Sequence, residues 1–266
     1  MYKRQVLPSL ESGGVERGVV EINNALVKKG FESYVASQGG KMVKQITDNN
    51  GKHFTLPLAS KNPFTIYRNI SKLSKIIKEN KINIIHARSR APAWSAYFAA
   101  KKTGCKFVTT MHGPYSAGSS LQRLYNSAMT KGERVIVVSN FIKNYATKNY
   151  KIDEKKIRLV HRGVDTDYFS IENTSKTRLA ELAQKIKIES DRTVIMLPGR
   201  ITSWKGHEFL LDALADIDRS KFYCLFVGDD KNHKTYRDRL DNKIENLDLE
   251  KNAVSYTHLR AHETRP

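Results

Sequence analysis

An open α/β architecture is predicted for this 266-residue chain: parallel strands covered by helices on both faces, organised as two successive units. Three observations predict it. Short apolar runs alternate with segments of helical period along most of the chain, the pattern of repeated strand-helix-strand units. Glycines, histidines and arginines fall again and again just after those runs, at the carboxyl ends of strands, where open parallel sheets place their ligands. The alternation breaks once, over polar residues 166–192, and a second series starts at Thr193.

Taken in order, Val6-Leu7 closes a first strand. A glycine-bearing loop leads to a helix over 15–29, with Val19, Ile22 and Leu26 on one face and Gly30 as its stop. Strands follow at 31–37 and 54–58. Residues 66–80 read as a basic amphipathic helix, its stripe made by Ile66, Ile70, Leu73 and Ile77, with Lys72, Lys75 and Lys78 away from it. Strands at 82–86, 107–111, 135–138 and 157–160 alternate with helices at 91–102, 121–131 and 141–150. In the second series, 193–197 reads as a buried strand, a helix starts near His207, a strand spans 222–227 and a helix spans 234–247.

Composition narrows the function. The net charge of +19, from 46 basic and 27 acidic residues, suits nucleic acid, an anionic membrane surface or phosphorylated substrates. Abundant Lys, Asn and Ile, all with A/T-rich codons, account for part of it. No basic segment carries the interleaved aromatics of a single-strand binder. No apolar run reaches the roughly 18 residues of a membrane span. No signal peptide is visible, and Cys105 and Cys224 fit reduced residues beside or within strands, so a cytoplasmic location is expected, with peripheral contact to the inner face of the plasma membrane as an option.

The ends read differently. Met1-Tyr2-Lys3-Arg4-Gln5 and Val254-Ser255-Tyr256-Thr257-His258 can be encoded by reverse-complementary DNA, and both ends resemble the translated transposase adapter of sequencing libraries, the second continuing to Thr264. Residues 1–5 and 254–266 are therefore expected to be non-native. The i,i+4 pair His258 and His262 is rejected as a metal site on the same ground.

The chemistry-bearing segments follow. Gly199-Arg200 and Lys205-Gly206 place a planar guanidinium and a point-charge ammonium beside a helix start, an arrangement suited to a diphosphate. Ser12-Gly13-Gly14 joins the first strand to the first helix; glycines let the backbone approach a ligand and leave amides open to anions. It is neither a Gly-x-Gly-x-x-Gly fingerprint nor a P-loop. His86 and Arg88 follow one strand, and Thr110-Met111-His112-Gly113 follows the next, so the two histidines could share a cleft. Val137-Val138-Ser139 and Arg162-Gly163-Val164-Asp165 close two more.

Taken together, these segments resemble the retaining glycosyltransferases of family 4, which have the GT-B fold of two Rossmann-like domains. The resemblance rests on Gly13-Gly14-Val15-Glu16, Thr110 to Gly113, Val137 to Ser139, Arg162 to Asp165 with Phe169, and Gly199-Arg200 with Lys205-Gly206. It implies an acceptor-side domain over 6–170, a linker over 171–192 and an incomplete nucleotide-sugar-binding domain over 193–253. It implies transfer of a sugar from a nucleotide-diphosphate sugar to a cell-envelope acceptor, lipopolysaccharide or lipid-linked, with retention. By position, Gly13 and Gly14 would line the cleft, His112 would contact the transferred sugar, and Arg200 and Lys205 would stabilise the leaving diphosphate. His86, Arg88, Ser139, Arg162 and Gly199 would complete the substrate site. The family needs no metal or cofactor, and Asp165-Thr166-Asp167 is read as structural.

The family's Glu-x7-Glu segment has no counterpart after Val227, so the chain as it stands is expected to be inactive, with apolar surface exposed beside a two-stranded second sheet. A phosphorylase or epimerase-like enzyme of the same fold, or a basic non-catalytic nucleic-acid binder, are the alternatives. The ordered strand-end motifs disfavour the second, and no nucleic-acid partner is expected.

Overall fold

The protein is described by a computed structural model covering residues 2–11, 13–116, 118–167, 169–186, 192–230 and 233–256. Its chain forms two compact units, Met1–Gly163 and Val164–Pro266.

The first unit is a seven-stranded parallel sheet: β1 (Tyr2–Val6), β2 (Glu32–Ser37), β3 (Lys52–Thr55), β4 (Ile84–Ala87), β5 (Lys106–Met111), β6 (Arg134–Val137) and β7 (Ile157–Leu159), ordered β3-β2-β1-β4-β5-β6-β7. The chain builds outward from β1 to one edge, returns to the middle and builds outward to the other. The order therefore reverses between β1 and β4, and there the connections leave a crevice at the carboxyl ends. Central strands bury both faces, hence the near-continuous apolar runs: Val35, Ala36, Ile85, Ala87, Met111, Val135 and Val137 are all buried.

The helices are α1 (Gly14–Lys28), α2 (Val43–Thr47), α3 (Pro63–Glu79), α4 (Arg90–Thr103), α5 (Ser120–Ser127) and α6 (Asn140–Tyr150). Asn62 caps α3, accepting from the amides of Phe64 and Thr65, and Pro63 occupies the first turn, where its missing N–H is harmless. The helix therefore starts before the apolar stripe does. In α4, Ala93, Ala96, Ala99 and Ala100 are buried, and their small side chains let it pack closely.

The structure adds to the sequence reading at three places. The strand read at 54–58 is β3, Lys52–Thr55; Leu56 and Leu58 are buried beyond its end, so burial mimicked strand character. The short α2 carried no periodic signal and was not foreseen. Residues 2–5, set aside as a foreign end, form most of β1, between β2 and β4.

In the second unit, β8 (Thr193–Pro198), β9 (Phe222–Val227) and β10 (Ala253–Tyr256) make a parallel sheet ordered β10-β9-β8, with α7 (Lys176–Ile186), α8 (His207–Ala215) and α9 (Lys234–Asn246). The sheet has three strands rather than the two expected, because 253–256 pairs with β9. The unit begins at Val164, and the segment read as a linker, 171–192, contains α7. Expected to be buried, β8 is instead an edge strand, with Val194 41% and Met196 55% exposed. Its apolar residues therefore meet solvent, in line with the expectation of exposed apolar surface, and Phe209 of α8 joins them at 81%.

The sheet interior contains one misfit. Arg4 is fully buried in β1, its Nε, Nη1 and Nη2 make no hydrogen bond, and its guanidinium lies 4.8 Å from the centre of the Phe54 ring. Burial pushes its pKa down to about 9. An uncompensated buried charge is strongly destabilising, and a stacked ring recovers only part of the loss. Arg4→Met, which keeps the length of the side chain, is expected to raise unfolding stability by about 1–4 kcal/mol. Chemical denaturation would read the change, and an unchanged or lowered midpoint would count against it.

Candidate functional site

The site in the first unit begins with two absent side chains. Gly13 precedes α1 at φ 134°, a conformation that favours glycine, and α1 starts without a side-chain cap. A Cβ on Gly14 would stand 2.8 Å from Arg162 Nη1. One on Gly18 would stand 3.1 Å from both Arg162 Nη2 and Arg88 Nη2. The glycines thus leave a trough along the first turns of α1, and two guanidinium groups from the ends of two different strands fill it. Arg88 follows β4, its amide bonded to the Val6 carbonyl at 2.9 Å; Arg162 follows β7 and donates from Nη2 to the Gly14 carbonyl.

No carboxylate among the described residues pairs with either arginine. Arg88 is only 6% exposed and its Nε has no partner. Burial, with Arg162 adding to it, pushes the Arg88 pKa down to about 10. His112 follows β5, with neither ring nitrogen hydrogen-bonded. Burial first, then the charges of Arg88 and Arg162, push its pKa down to about 3. The ring is therefore a neutral hydrogen-bonding group beside two fixed cations. Its loop is braced at Tyr115, whose carbonyl accepts from the hydroxyls of Tyr145 (2.5 Å) and Tyr150 (3.0 Å).

Two expected ligand residues have internal work. His86 is buried, with Nε2 2.7 Å from Thr110 Oγ1, so it ties β4 to β5 beneath the site and does not share an open cleft with His112. Ser139 caps α6, its Oγ accepting from the Ile142 amide at 3.2 Å. Ser12 lies outside the described residues.

The second unit brings its expected group together. β8 ends at Pro198, and the Gly199 amide bonds the Val227 carbonyl at 2.8 Å. A Cβ on Gly228 would lie 1.8 Å from the Gly199 carbonyl oxygen, so no other residue fits there. The turn over Ser203–Lys205 closes through Gly206 at φ 81° into α8. Lys205 folds its stem across Gly199, its Cε 3.7 Å from where a Cβ would be. Arg200 and Lys205 are both exposed and neither has an ion-pair partner among the described residues. Behind them His207 is fully buried, edge-on to Phe226 at 5.0 Å, a packing role that the sequence did not reveal.

A further feature escaped sequence reading because three separate helices build it. Pro63, Ile66, Tyr67 and Ile70 of α3, Trp94 and Phe98 of α4, and Leu121, Leu124 and Tyr125 of α5 line an apolar groove of about 480 Å³. Lys61 lies at its edge, and Lys131 sits 5.6 Å from the Trp94 ring centre. Among the described residues, no group of His, Cys, Asp and Glu is placed to hold a metal ion, and no helix is long and apolar enough to cross a membrane.

Strand order, the glycine trough at the switch point and the second parallel unit with its cationic turn match the GT-B fold of solved glycosyltransferases. The chain belongs to glycosyltransferase family 4: the model of that family matches residues 12–168, and the model of glycosyl transferases group 1 matches 180–263. A glycosyltransferase from Rickettsia africae ESF-5 is 42% identical, with a TM-score of 0.85 over 96% of this chain and 67% of that one. The Anabaena protein Alr3699/HepE in complex with UDP and glucose superposes with a TM-score of 0.77 at 18% identity, over 96% of this chain and 68% of its own. The alpha-monoglucosyldiacylglycerol synthase of Streptococcus pneumoniae is 21% identical over 260 residues, 91% of this chain and 57% of that protein. The chain spans about half the length of the curated relatives it matches.

His112 is expected to stay neutral in the folded protein far below its unfolded pKa of 6.5. Because the folded value is depressed, the unfolded state takes up the proton first. The stability linked to His112 is thus complete above 6.5 and is lost as pH falls from there towards about 3. NMR titration of the imidazole should show no midpoint between pH 8 and 4.5, and His112→Gln should lessen the acid-side loss of stability. A midpoint near 6.5 would refute both.

Proposed function

We propose that the protein transfers a hexose from a nucleoside-diphosphate sugar to a cell-envelope acceptor, lipopolysaccharide or lipid-linked, with retention and without a metal or cofactor. The observation that carries this is the cationic turn: Arg200 and Lys205, exposed and without acidic partners among the described residues, at the carboxyl end of β8 beside the start of α8. A carboxylate partner would have neutralised the pair; without one it suits a ligand carrying two phosphates. Charge building on the departing diphosphate is what such a pair stabilises. His112, neutral and unpartnered, suits a sugar hydroxyl and not a general acid. The HepE complex with UDP and glucose supports the donor class.

The acceptor reading rests on the groove between α3, α4 and α5. Its wall is apolar and aromatic, Leu121 and Leu124 are exposed, Lys61 joins the lining, and Lys131 lies over the Trp94 ring. Lys72, Lys75 and Lys78 are exposed on α3 as well. Exposed apolar surface on a helix that also exposes lysines suits an anionic membrane, where a lipid-linked acceptor and a cytoplasmic, peripherally bound enzyme would meet. The synthase from Streptococcus pneumoniae, a glucosyldiacylglycerol enzyme by name, supports a lipid acceptor.

Arg200→Ala and Lys205→Ala should each weaken UDP binding at least tenfold by calorimetry, with thermal unfolding unchanged because both side chains are exposed. Unaltered UDP affinity in both variants would remove the donor reading. Leu121→Asp with Leu124→Asp should abolish sedimentation with vesicles containing anionic phospholipid, and Lys72, Lys75 and Lys78→Glu together should weaken it. Equal binding by all three proteins would remove the membrane reading.

A further inference from the structure

Arg88 has no task in the fold that its chemistry requires. It is nine-tenths buried, it has no ion pair among the described residues, its Nε is unpartnered, and a second guanidinium crowds it across the Gly18 position. A structural arginine at such depth is normally held by a carboxylate, because an unpaired buried charge is strongly unfavourable. The usual alternative is a bound anion. Three neighbouring facts fit one. The trough is cut by Gly14 and Gly18, so both forks can reach the same ligand. Arg162 is exposed and already stands over the Gly14 end of the trough, donating to the Gly14 carbonyl. The third side chain, His112, is neutral and has both ring nitrogens free. The nearest acid in the helix, Glu16, lies on the Gly13 side, its Oε2 2.7 Å from where a Gly13 Cβ would stand, and pairs with neither arginine.

We infer that Arg88 and Arg162 form a phosphoryl-binding subsite of the first unit, set against the glycine face of α1 with the unpartnered His112 ring beside it. Two forked guanidinium groups match the oxygens of a phosphate better than a single-point cation does. The phosphate comes either from the acceptor, as in a phosphate-linked lipid saccharide, or from the nucleotide. The source rests on the transferase reading above; the subsite does not.

The test uses the whole chain labelled at histidine 13Cε1, with inorganic pyrophosphate as probe and the His112 resonance assigned through His112→Gln. Pyrophosphate should shift that resonance saturably. Arg162→Met, at an exposed position, should weaken the response at least tenfold with the fold intact. Gly14→Ala should also weaken it by displacing the far end of the Arg162 side chain. Arg200→Met with Lys205→Met should leave it in place. A response that survives Arg162→Met and Gly14→Ala, or disappears only with the Arg200 and Lys205 pair, overturns the proposal. UDP then separates the sources: displacement of pyrophosphate from the His112 signal assigns the phosphate to the nucleotide, and simultaneous binding assigns it to the acceptor. Should UDP affinity ignore Arg200 and Lys205 while pyrophosphate still needs Arg162, the donor reading falls and the subsite stands.

Discussion

Two guanidinium groups occupy one trough because α1 has no side chains at Gly14 and Gly18, and most of what is distinctive about the first unit follows from that contact. Parallel strands in the order β3-β2-β1-β4-β5-β6-β7 send every carboxyl end to the same side. The reversal of order at β1 and β4 sets the start of α1 beside the residues that follow β4, which puts Arg88 against the helix. Arg162 arrives from β7, at the edge of the sheet, and is held by the Gly14 carbonyl. Backbone topology thus gathers like charges that would not gather by attraction. Their mutual repulsion is tolerable because Arg162 is open to water, where the effective dielectric is high, while Arg88 bears the desolvation.

His112 shows how such a neighbourhood selects a chemical role. A histidine near its ordinary pKa could donate or remove a proton at neutral pH. Here burial disfavours the charged ring, and two adjacent cations disfavour it further. What remains is an imidazole with one donor and one acceptor, a group that can orient a sugar hydroxyl but adds no charge to an already cationic site. His86, at the end of the neighbouring strand, was expected to line the same cleft. A 2.7 Å contact with Thr110 takes it into the sheet instead, and its effect on the site is to hold β4 and β5 in place.

The sequence made the architecture legible because a parallel sheet leaves two strong traces: apolar runs where strands bury both faces, and glycine or charge where they end. It marked α1 through its period and Gly30, it marked Arg88 and Arg162 one by one, and it marked Arg200 with Lys205 as a pair. It misread features set by more than one element. Leu56 and Leu58 are buried by tertiary contact outside any strand, so the third strand was placed too late. Burial of β8 was inferred from its composition, although an edge position depends on which strands are neighbours. The apolar groove draws on three helices and so leaves no periodic trace in any one of them. The coming together of Arg88 and Arg162 at Gly18 is of the same kind: each residue was visible, their meeting was not.

The contrast between the two cationic groups bears on how each can act. Arg200 and Lys205 are exposed at a turn whose backbone is fixed by close approach of Gly228 to Gly199. They are long, solvated side chains on a backbone held by that approach. Arg88 is the opposite case, a buried fork with little freedom, already stripped of water before any ligand arrives. A desolvated, preorganised cation gives up little on binding and discriminates by geometry. On this ground the exposed pair suits a phosphate met in water, and the buried fork suits one held in a single place.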